Sequence, residues 1–158
     1  YLRDFILESE SGEKLVSATT SWLIIDLSSR RMVRNTYLAE NFDNSEMGHA
    51  IEEPADKVSL PKGIEPELVH THKVVWSDID TNGHVNNVKY AVWALDAIDF
   101  DIAKERVLKE MLINYDSEVM PGQEVDLYRV STEENGSPVY YVVGKVAGKT
   151  SFSIKMTF

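Results

Sequence analysis

The sequence predicts an α+β domain in which an antiparallel sheet wraps around one central, buried helix. Residues 85–98 are apolar on nearly all sides when they are drawn as a helix, which is typical of a buried helix. A β-rich segment at 67–76 precedes this run, and four segments with the composition or alternation of strands follow it. One strand, a buried helix and an antiparallel meander, in that order, indicate the α+β class.

The first 35 residues predict a separate hairpin. Two strands are expected at 1–7 and 14–26, joined by a turn at 10–13. The second strand alternates, and its apolar side chains on one face are Val16, Ala18, Trp22 and Ile24. Because two strands alone are marginally stable in water, we expect residues 1–35 to be the last hairpin of a domain whose beginning is missing from this sequence.

The remainder divides into a linker and one complete domain. Residues 36–65 lack sustained periodicity, and so long a structureless stretch is unusual inside a compact domain, so we expect an inter-domain linker on the surface. Residues 66–158 are expected to form the complete second domain. After the helix, strands are expected at 107–119, 124–132, 139–146 and 152–158, with a hairpin turn signalled by Asn135-Gly136.

Composition excludes several classes of function. The formal net charge of -10 argues against nucleic-acid binding, which needs a basic surface. The absence of cysteine excludes disulfides, thiolate metal sites and a cysteine nucleophile. No apolar run has the length of a membrane-spanning helix. His70 and His72 share a strand face, but without further ligands nearby we interpret them as ordinary strand histidines and expect neither a metal nor a cofactor.

A cluster of reactive side chains lies between the predicted strand and the predicted helix. Asp80, Asn82 and His84 occupy alternate positions, immediately before the helical run. The first turn of a helix carries unpaired N–H groups and the positive end of the helix dipole. Gly83 allows a close approach of the backbone to a ligand. A strand, a glycine-containing loop and a helix therefore place acid–base side chains beside free N–H donors, and we expect the chemistry here.

These residues carry a resemblance to a known family. The string Asp80, Asn82, His84, Val85, Asn86, Asn87 and Tyr90 resembles the D-x-N-x-H-V-N-N-x-x-Y pattern of the acyl-acyl carrier protein (acyl-ACP) thioesterases, whose fold is the hot-dog fold. Residues 112–118 resemble the family's strand that ends in a catalytic Glu, here Glu118, and residues 3–5, 21–22, 26 and 30–31 resemble the end of its first domain. The resemblance implies a second hot-dog domain at 66–158. It also implies hydrolysis of fatty acyl-ACP, which releases free fatty acid and ends chain elongation.

The same resemblance implies catalytic roles for four side chains. Glu118 would activate the attacking water or attack the thioester directly. Asn82 would hold the water and the substrate, and His84 would hydrogen-bond the water or stabilise negative charge. Asp80 would orient Asn82 or His84. Plant members carry a Cys directly after the matched Glu, whereas this chain has Val119, so the carboxylate is expected to carry the reaction.

The backbone of the loop is expected to bind the oxyanion of the reaction. The N–H groups of Gly83, Val85 and Asn86 are the candidate donors, and one well-placed donor is typically worth about 10²–10³ in rate. The side chains of Asp78, Asn86 and Asn87 are interpreted as helix caps and loop structure without a catalytic role.

The resemblance also implies the partner. It is an acyl carrier protein bearing a fatty acyl thioester, and neither nucleic acid nor a membrane is expected. Arg30, Arg31 and Arg34 form the only tight basic cluster, and a solvated turn is its commoner interpretation. A homodimer could form through exposed strand edges. The location would be the cytoplasm, or the plastid in a plant.

Three alternatives stay open at this point. A hot-dog hydratase or dehydratase is disfavoured, because Asn82 and His84 are two residues apart, with Gly83 between them, instead of three apart with a Pro. An acyl-CoA thioesterase of the 4-hydroxybenzoyl-CoA thioesterase type would share the fold. A non-catalytic acyl-binding module would need only an apolar tunnel and would not need the four polar side chains.

Overall fold

The structure is a computed structural model that describes residues 1–26, 28–29, 31–33, 40–41, 48–53 and 55–158. Arg30 and Arg34 of the basic cluster lie outside the described residues, as do residues 36–39, 42–47 and 54 of the expected linker. The chain divides into two compact units, Tyr1–Asp56 and Lys57–Phe158. Among the described residues, none of the helices combines the length and the apolar character needed to cross a membrane.

The first unit contains an antiparallel hairpin. Its strands are β1 (Leu2–Glu8) and β2 (Lys14–Ser21), so the second strand ends earlier than the sequence predicts. The guanidinium of Arg3 lies 4.7 Å from the centre of the Trp22 ring, which ties the start of β1 to the end of β2. Large apolar side chains of both strands remain exposed in the hairpin: Leu2, Phe5, Ile6, Leu7, Leu15 and Val16.

The second unit is a five-stranded antiparallel sheet with helices on one face. Its elements are β3 (Glu67–Lys73), α1 (Asn87–Asp96), α2 (Phe100–Glu105), β4 (Glu110–Tyr115), β5 (Glu124–Glu134), β6 (Ser137–Val146) and β7 (Lys149–Thr157). The strand order is β3-β5-β6-β7-β4, so β3 and β4 are the two edges. Two-residue turns join β5 to β6 and β6 to β7. The first is the predicted Asn135-Gly136 turn, in which both residues have positive φ (52° and 79°), as a type I′ turn requires.

The core lies between α1 and the centre of the sheet. Helix α1 packs across β6 and β7, the two middle strands on that side. Tyr90 and Trp93 of the helix meet the fully buried Phe152 of β7, with ring centres 4.9 Å and 6.5 Å from it. The remaining fully buried side chains of this core include Val85, Val119, Val125, Leu127, Val142, Ile154 and Met156. The predicted arrangement of a sheet around a central helix is therefore confirmed.

The opposite face of α1 is exposed in this unit. The side chains of Val88, Val92 and Leu95 point away from the sheet, and Val88 is 68% exposed. The prediction of a helix buried on nearly all sides is therefore wrong for this unit, because a sheet can cover only one face of a helix that packs against it. The apolar composition of the other face gave the sequence pattern of a fully buried helix.

Part of the expected linker belongs to the second unit. Val58 and Leu60 are partly buried and pack against Val130, Val139 and Tyr141, on the sheet face opposite the helix. The N–H of Val58 donates to Asn114 Oδ1 at 2.7 Å, which fixes the segment to β4. Two apolar side chains spaced by two residues are enough to form this contact, but they are too few to give a strand pattern in the sequence.

Candidate active site

The residues expected to be catalytic lie on a closed loop between β3 and α1. A short 3₁₀ turn at Trp76–Asp78 leads into the loop, and an isolated antiparallel bridge between Ile79 and Val85 closes it. Inside the bridge, the N–H of Asp80 donates to the carbonyl of His84 at 3.0 Å. Gly83 has a φ of +82°, a left-handed conformation that glycine adopts without steric cost, and this turns the chain back toward the helix.

Asp80, Asn82 and His84 are brought together by this turn. Asp80 Oδ1 accepts the backbone N–H of Asn82 at 2.8 Å, and Asp80 Oδ2 lies 3.4 Å from Asn82 Nδ2. His84 Nδ1 is 3.7 Å from Asp80 Oδ1, within ion-pair range if the imidazole is protonated. Asn82 is exposed, whereas Asp80 and His84 are half-buried. The carboxylate of Asp80 therefore holds Asn82 in place and leaves its amide accessible to solvent.

Glu118 does not lie at the end of a strand as expected. Strand β4 ends at Tyr115, and the N–H groups of Asp116 and Ser117 both donate to the carbonyl of Ser151, at 2.8 and 3.1 Å. Two residues opposite one partner make a bulge that breaks the alternation of the strand. The strand predicted at 107–119 is therefore shorter, and Glu118 is an exposed residue of the loop 116–123. It lines an open pocket of about 360 Å³, together with Ser117, Gln123, Val146, Ala147, Lys149 and Ser151.

Backbone hydrogen bonds tie the Glu118 loop to the loop that carries Asp80. The N–H of Val85 donates to the carbonyl of Val119 at 2.9 Å, and the N–H of Val119 donates to the hydroxyl oxygen of Tyr90 at 3.3 Å. Burial raises the pKa of the Tyr90 hydroxyl, and the negative charges of Glu118 and Asp80 raise it further. Both carboxylates therefore lie close enough to act on one phenol, which brings the two halves of the candidate site to the same region.

The expected backbone donors are occupied in this structure. The N–H of Gly83 donates to Asp80 O at 3.1 Å, that of Val85 to Val119 O, and that of Asn86 to Asp78 O at 2.8 Å. Because each N–H closes the loop, none of the three is available to an oxyanion in this arrangement, and this part of the expectation is corrected. Among the described hydrogen bonds, none uses the N–H of Asn87, the first residue of α1.

Comparison with known proteins identifies the family. The model of the acyl-ACP thioesterase C-terminal domain family matches residues 62–158. The chain belongs to this family. A chloroplastic acyl-acyl carrier protein hydrolase of Cuphea viscosissima is 28% identical over 151 residues, which cover 86% of this chain and 34% of that protein. A chloroplastic oleoyl-acyl carrier protein thioesterase of Arabidopsis thaliana is 29% identical over 165 residues, which cover 92% of this chain and 41% of that protein.

Solved structures show the same hot-dog fold. An acyl-ACP thioesterase of Bacteroides thetaiotaomicron matches with a TM-score of 0.77 and 24% identity, over 99% of this chain and 62% of that one. The 12:0-ACP thioesterase of Umbellularia californica also matches with a TM-score of 0.77, at 17% identity, over 99% of this chain and 59% of that one. This acyl-ACP thioesterase chain thus spans about a third to two fifths of the length of the curated relatives above.

The side chains expected to cap the helix include one true cap and one ionised cluster. Asn86 is the N-cap of α1, and its Oδ1 accepts the N–H of Val88 at 3.0 Å. Asp78 is not a cap: it is buried and bonds to His72 and Lys89. Sequence reasoning missed this cluster, because its members are 6 and 11 residues from Asp78, a spacing typical of no motif. No group of three or more potential metal ligands is found in the described part of the chain.

Tyr90 is the other contributor that sequence reasoning left without a role. It was counted only among the apolar residues of the helix and as part of the family string. Its ring packs in the core, 5.5 Å from the Trp93 ring, while its hydroxyl reaches the backbone of the Glu118 loop. The pattern Asn-x-x-x-Tyr places Tyr90 one helical turn after the N-cap, which was the available signal for a side chain directed at the site.

Proposed function

We propose that this domain takes part in hydrolysing the thioester of fatty acyl-ACP, a reaction that releases free fatty acid and ends chain elongation. Membership of the acyl-ACP thioesterase family supports the reaction class. The single observation that carries the proposal is the junction of two loops. The N–H of Val85, directly after Asp80, Asn82 and His84, bonds to the carbonyl of Val119, directly after Glu118.

In the proposed reaction Glu118 acts on water. Its carboxylate removes a proton from a water molecule as the water oxygen attacks the carbonyl carbon of the thioester. The tetrahedral intermediate then collapses with cleavage of the C–S bond. The thiolate that leaves takes up the proton, and the products are a carboxylic acid and a free thiol. The exposed position of Glu118 beside an open pocket supports access of water to the carboxylate.

The remaining side chains orient the reactants. The exposed amide of Asn82, held by Asp80, is suited to hydrogen-bond the water and the substrate together. His84 would stabilise the negative charge that develops on the thioester oxygen. The N–H of Asn87 replaces the three occupied amides as the backbone donor of this proposal, because it lies at the positive end of α1.

The partner and the assembly belong to the proposal as well. The substrate carrier is an acyl carrier protein, as the names of the relatives state for those proteins. A homodimer is the proposed assembly, which light scattering of the full protein would test. The relatives named above are chloroplastic, and the corresponding location here is the plastid in a plant or the cytoplasm in a bacterium.

Thiol release from matched acyl-ACP and acyl-CoA substrates tests the proposal. The full protein, the variant Glu118→Gln and the control Glu110→Gln are compared. Glu110 is also exposed, but it lies at the opposite end of β4, so its variant controls for loss of a surface carboxylate. We expect faster turnover of the carrier-protein thioester, a loss of about 10²-fold or more in Glu118→Gln, and no change in Glu110→Gln.

Other results would redirect or overturn the proposal. Turnover of acyl-CoA alone would assign the protein to a thioesterase that acts on acyl-CoA. Acyl chains bound by both the parent protein and Glu118→Gln, without turnover of either substrate, would make it a binding module. Full activity in Glu118→Gln would remove Glu118 from the mechanism and leave the reaction class intact.

A further inference from the structure

Asp78 is a buried carboxylate that the proposed reaction does not use. It is 3% exposed, and no other carboxylate of the described residues is buried. A buried charge is costly unless it is paired and hydrogen-bonded. A carboxylate two residues before Asp80 that is retained in so costly a position requires partners that hold it there.

Those partners come from each element around the candidate site. The carboxylate accepts from His72 Nε2 of β3 at 2.8 Å and from the N–H of Val75 at 3.0 Å. Its other oxygen is 3.4 Å from Lys89 Nζ, in the first turn of α1. The backbone carbonyl of the same residue accepts the N–H of Asn86 at 2.8 Å. One residue therefore joins the strand, the 3₁₀ turn, the end of the loop and the start of the helix.

The charges around Asp78 keep it ionised. Burial alone would raise the pKa of its carboxyl, but hydrogen bonds from Val75 and His72 outweigh burial and lower the pKa below its usual value. Lys89 adds a positive charge on the helix side. The imidazole of His72 is fixed from behind by the Trp93 ring, whose centre is 4.4 Å away. The cluster is thus a rigid ion pair between β3 and α1 and not a mobile surface contact.

We propose that Asp78 is a positioning residue, which holds the two ends of the loop 79–85 at a fixed separation through His72 and Lys89. This inference rests on the proposed function, because the loop carries Asp80, Asn82 and His84. The carboxylate anchors the start of the loop, and the carbonyl of the same residue anchors its end at Asn86. When the charge is removed, the helix N-terminus and the Ile79–Val85 bridge are no longer tied to β3. The three polar side chains then lose their common geometry.

The variant Asp78→Asn tests the inference with a matched control. Asparagine keeps the shape of the side chain but turns its NH₂ group toward either His72 or Lys89, which lie on different oxygens. The control is Asp99→Asn: Asp99 is also a carboxylate with two side-chain partners, Arg129 and Tyr140, at 2.8 Å each. It lies at the other end of α1, outside the candidate site. Lys89→Met, which removes only the charge on the helix, is a milder second variant in case Asp78→Asn does not fold.

Two measurements are made on the full protein. The first is the steady-state hydrolysis of acyl-ACP, for which Asp78→Asn is expected to lower kcat by about 10–100-fold with little change in KM, because a misplacement of about 1 Å can cost that much. Lys89→Met should give a smaller loss in the same direction, and Asp99→Asn none. The second is amide hydrogen exchange, in which the N–H groups of Val85 and Asn86 should exchange at least about 10-fold faster in Asp78→Asn. The amide of Val142 in the sheet centre should stay unchanged.

The two measurements separate the inference from the proposed function. Faster exchange at Val85 and Asn86, in a protein that hydrolyses no thioester, would support the anchoring of the loop and reject the proposed function. Unchanged exchange and unchanged kcat in Asp78→Asn and Lys89→Met, in an active enzyme, would overturn the inference. Equal losses of kcat in Asp78→Asn and Asp99→Asn would also overturn it, because they would show general destabilisation and not positioning.

Discussion

The contact between Gly144 and Phe152 gives a sharp test of the core. A Cβ atom added to Gly144 of β6 would lie 2.0 Å from Cε1 of Phe152, the residue opposite it on β7. Carbon atoms in contact are about 3.5–4.0 Å apart, so the ring must move by about 1.5 Å. It has no room to do so, because Phe152 is fully buried and packs against Tyr90 and Trp93. We therefore expect Gly144→Ala to destabilise the second unit by about 3 kcal/mol, the upper end of the usual cost of overpacking.

Urea unfolding followed by tryptophan fluorescence measures this cost. Trp93 is buried beside the displaced ring and reports on the core. For a slope of about 2 kcal/mol per molar urea, the loss lowers the unfolding midpoint by roughly 1.5 M. The control Gly136→Ala introduces a methyl group that meets nothing within 4 Å, at a φ of +79°. It should cost only about 1 kcal/mol, from the left-handed backbone alone.

A double variant decides whether Phe152 is the cause. Gly144→Ala combined with Phe152→Leu should be more stable than the sum of the two single losses predicts, because the smaller side chain leaves room for the new methyl group. Additive losses would refute the steric argument, as would a change of less than about 0.5 kcal/mol in Gly144→Ala alone.

Two further expectations concern a titration and a helix cap. Burial and the hydrogen bond to Asp99 raise the pKa of Tyr140 from 10.0 to about 12. Because the folded state holds this proton more tightly than the unfolded chain, the resulting stability is complete below pH 10 and is lost as the pH rises through about 12. Ultraviolet titration of the phenol should show this pKa, and Asp99→Asn should move it toward 10. Asn86→Ala should cost about 1 kcal/mol in urea unfolding, because the N–H of Val88 loses its acceptor, whereas Asn86→Asp should cost almost nothing; equal losses would argue against the cap.

The sequence was sufficient for the elements whose pattern is local. The Asn135-Gly136 turn and the alternation of Phe152, Ile154 and Met156 follow from residue type and period alone, and both are as predicted. The string from Asp80 to His84 identified the loop, because its residues are contiguous and their spacing is that of a known family. Contiguous signals of this kind do not depend on which distant segment supplies the partner.

The errors occurred where a distant segment decides the outcome. The extent of β4 and the position of Glu118 depend on a bulge opposite Ser151, which no pattern around Glu118 indicates. The exposure of Val88 depends on which face of α1 meets the sheet, and both faces are apolar in the sequence. The occupied N–H of Val85 depends on the carbonyl of Val119, 34 residues away in the chain. Each of these is a tertiary contact, and local propensity contains no information about it.

The strand order suggests a sequence of events in folding. Strands β5, β6 and β7 are neighbours in the chain and in the sheet, so their two hairpins close over short loops. Strand β3 must instead find β5, and β4 must find β7, across about 40–60 intervening residues, which is slower because of the entropy of closing long loops. The candidate active-site loop and α1 lie between these two edge strands in the chain. We therefore expect the catalytic geometry to form last during folding and to be the first feature lost when an edge strand detaches.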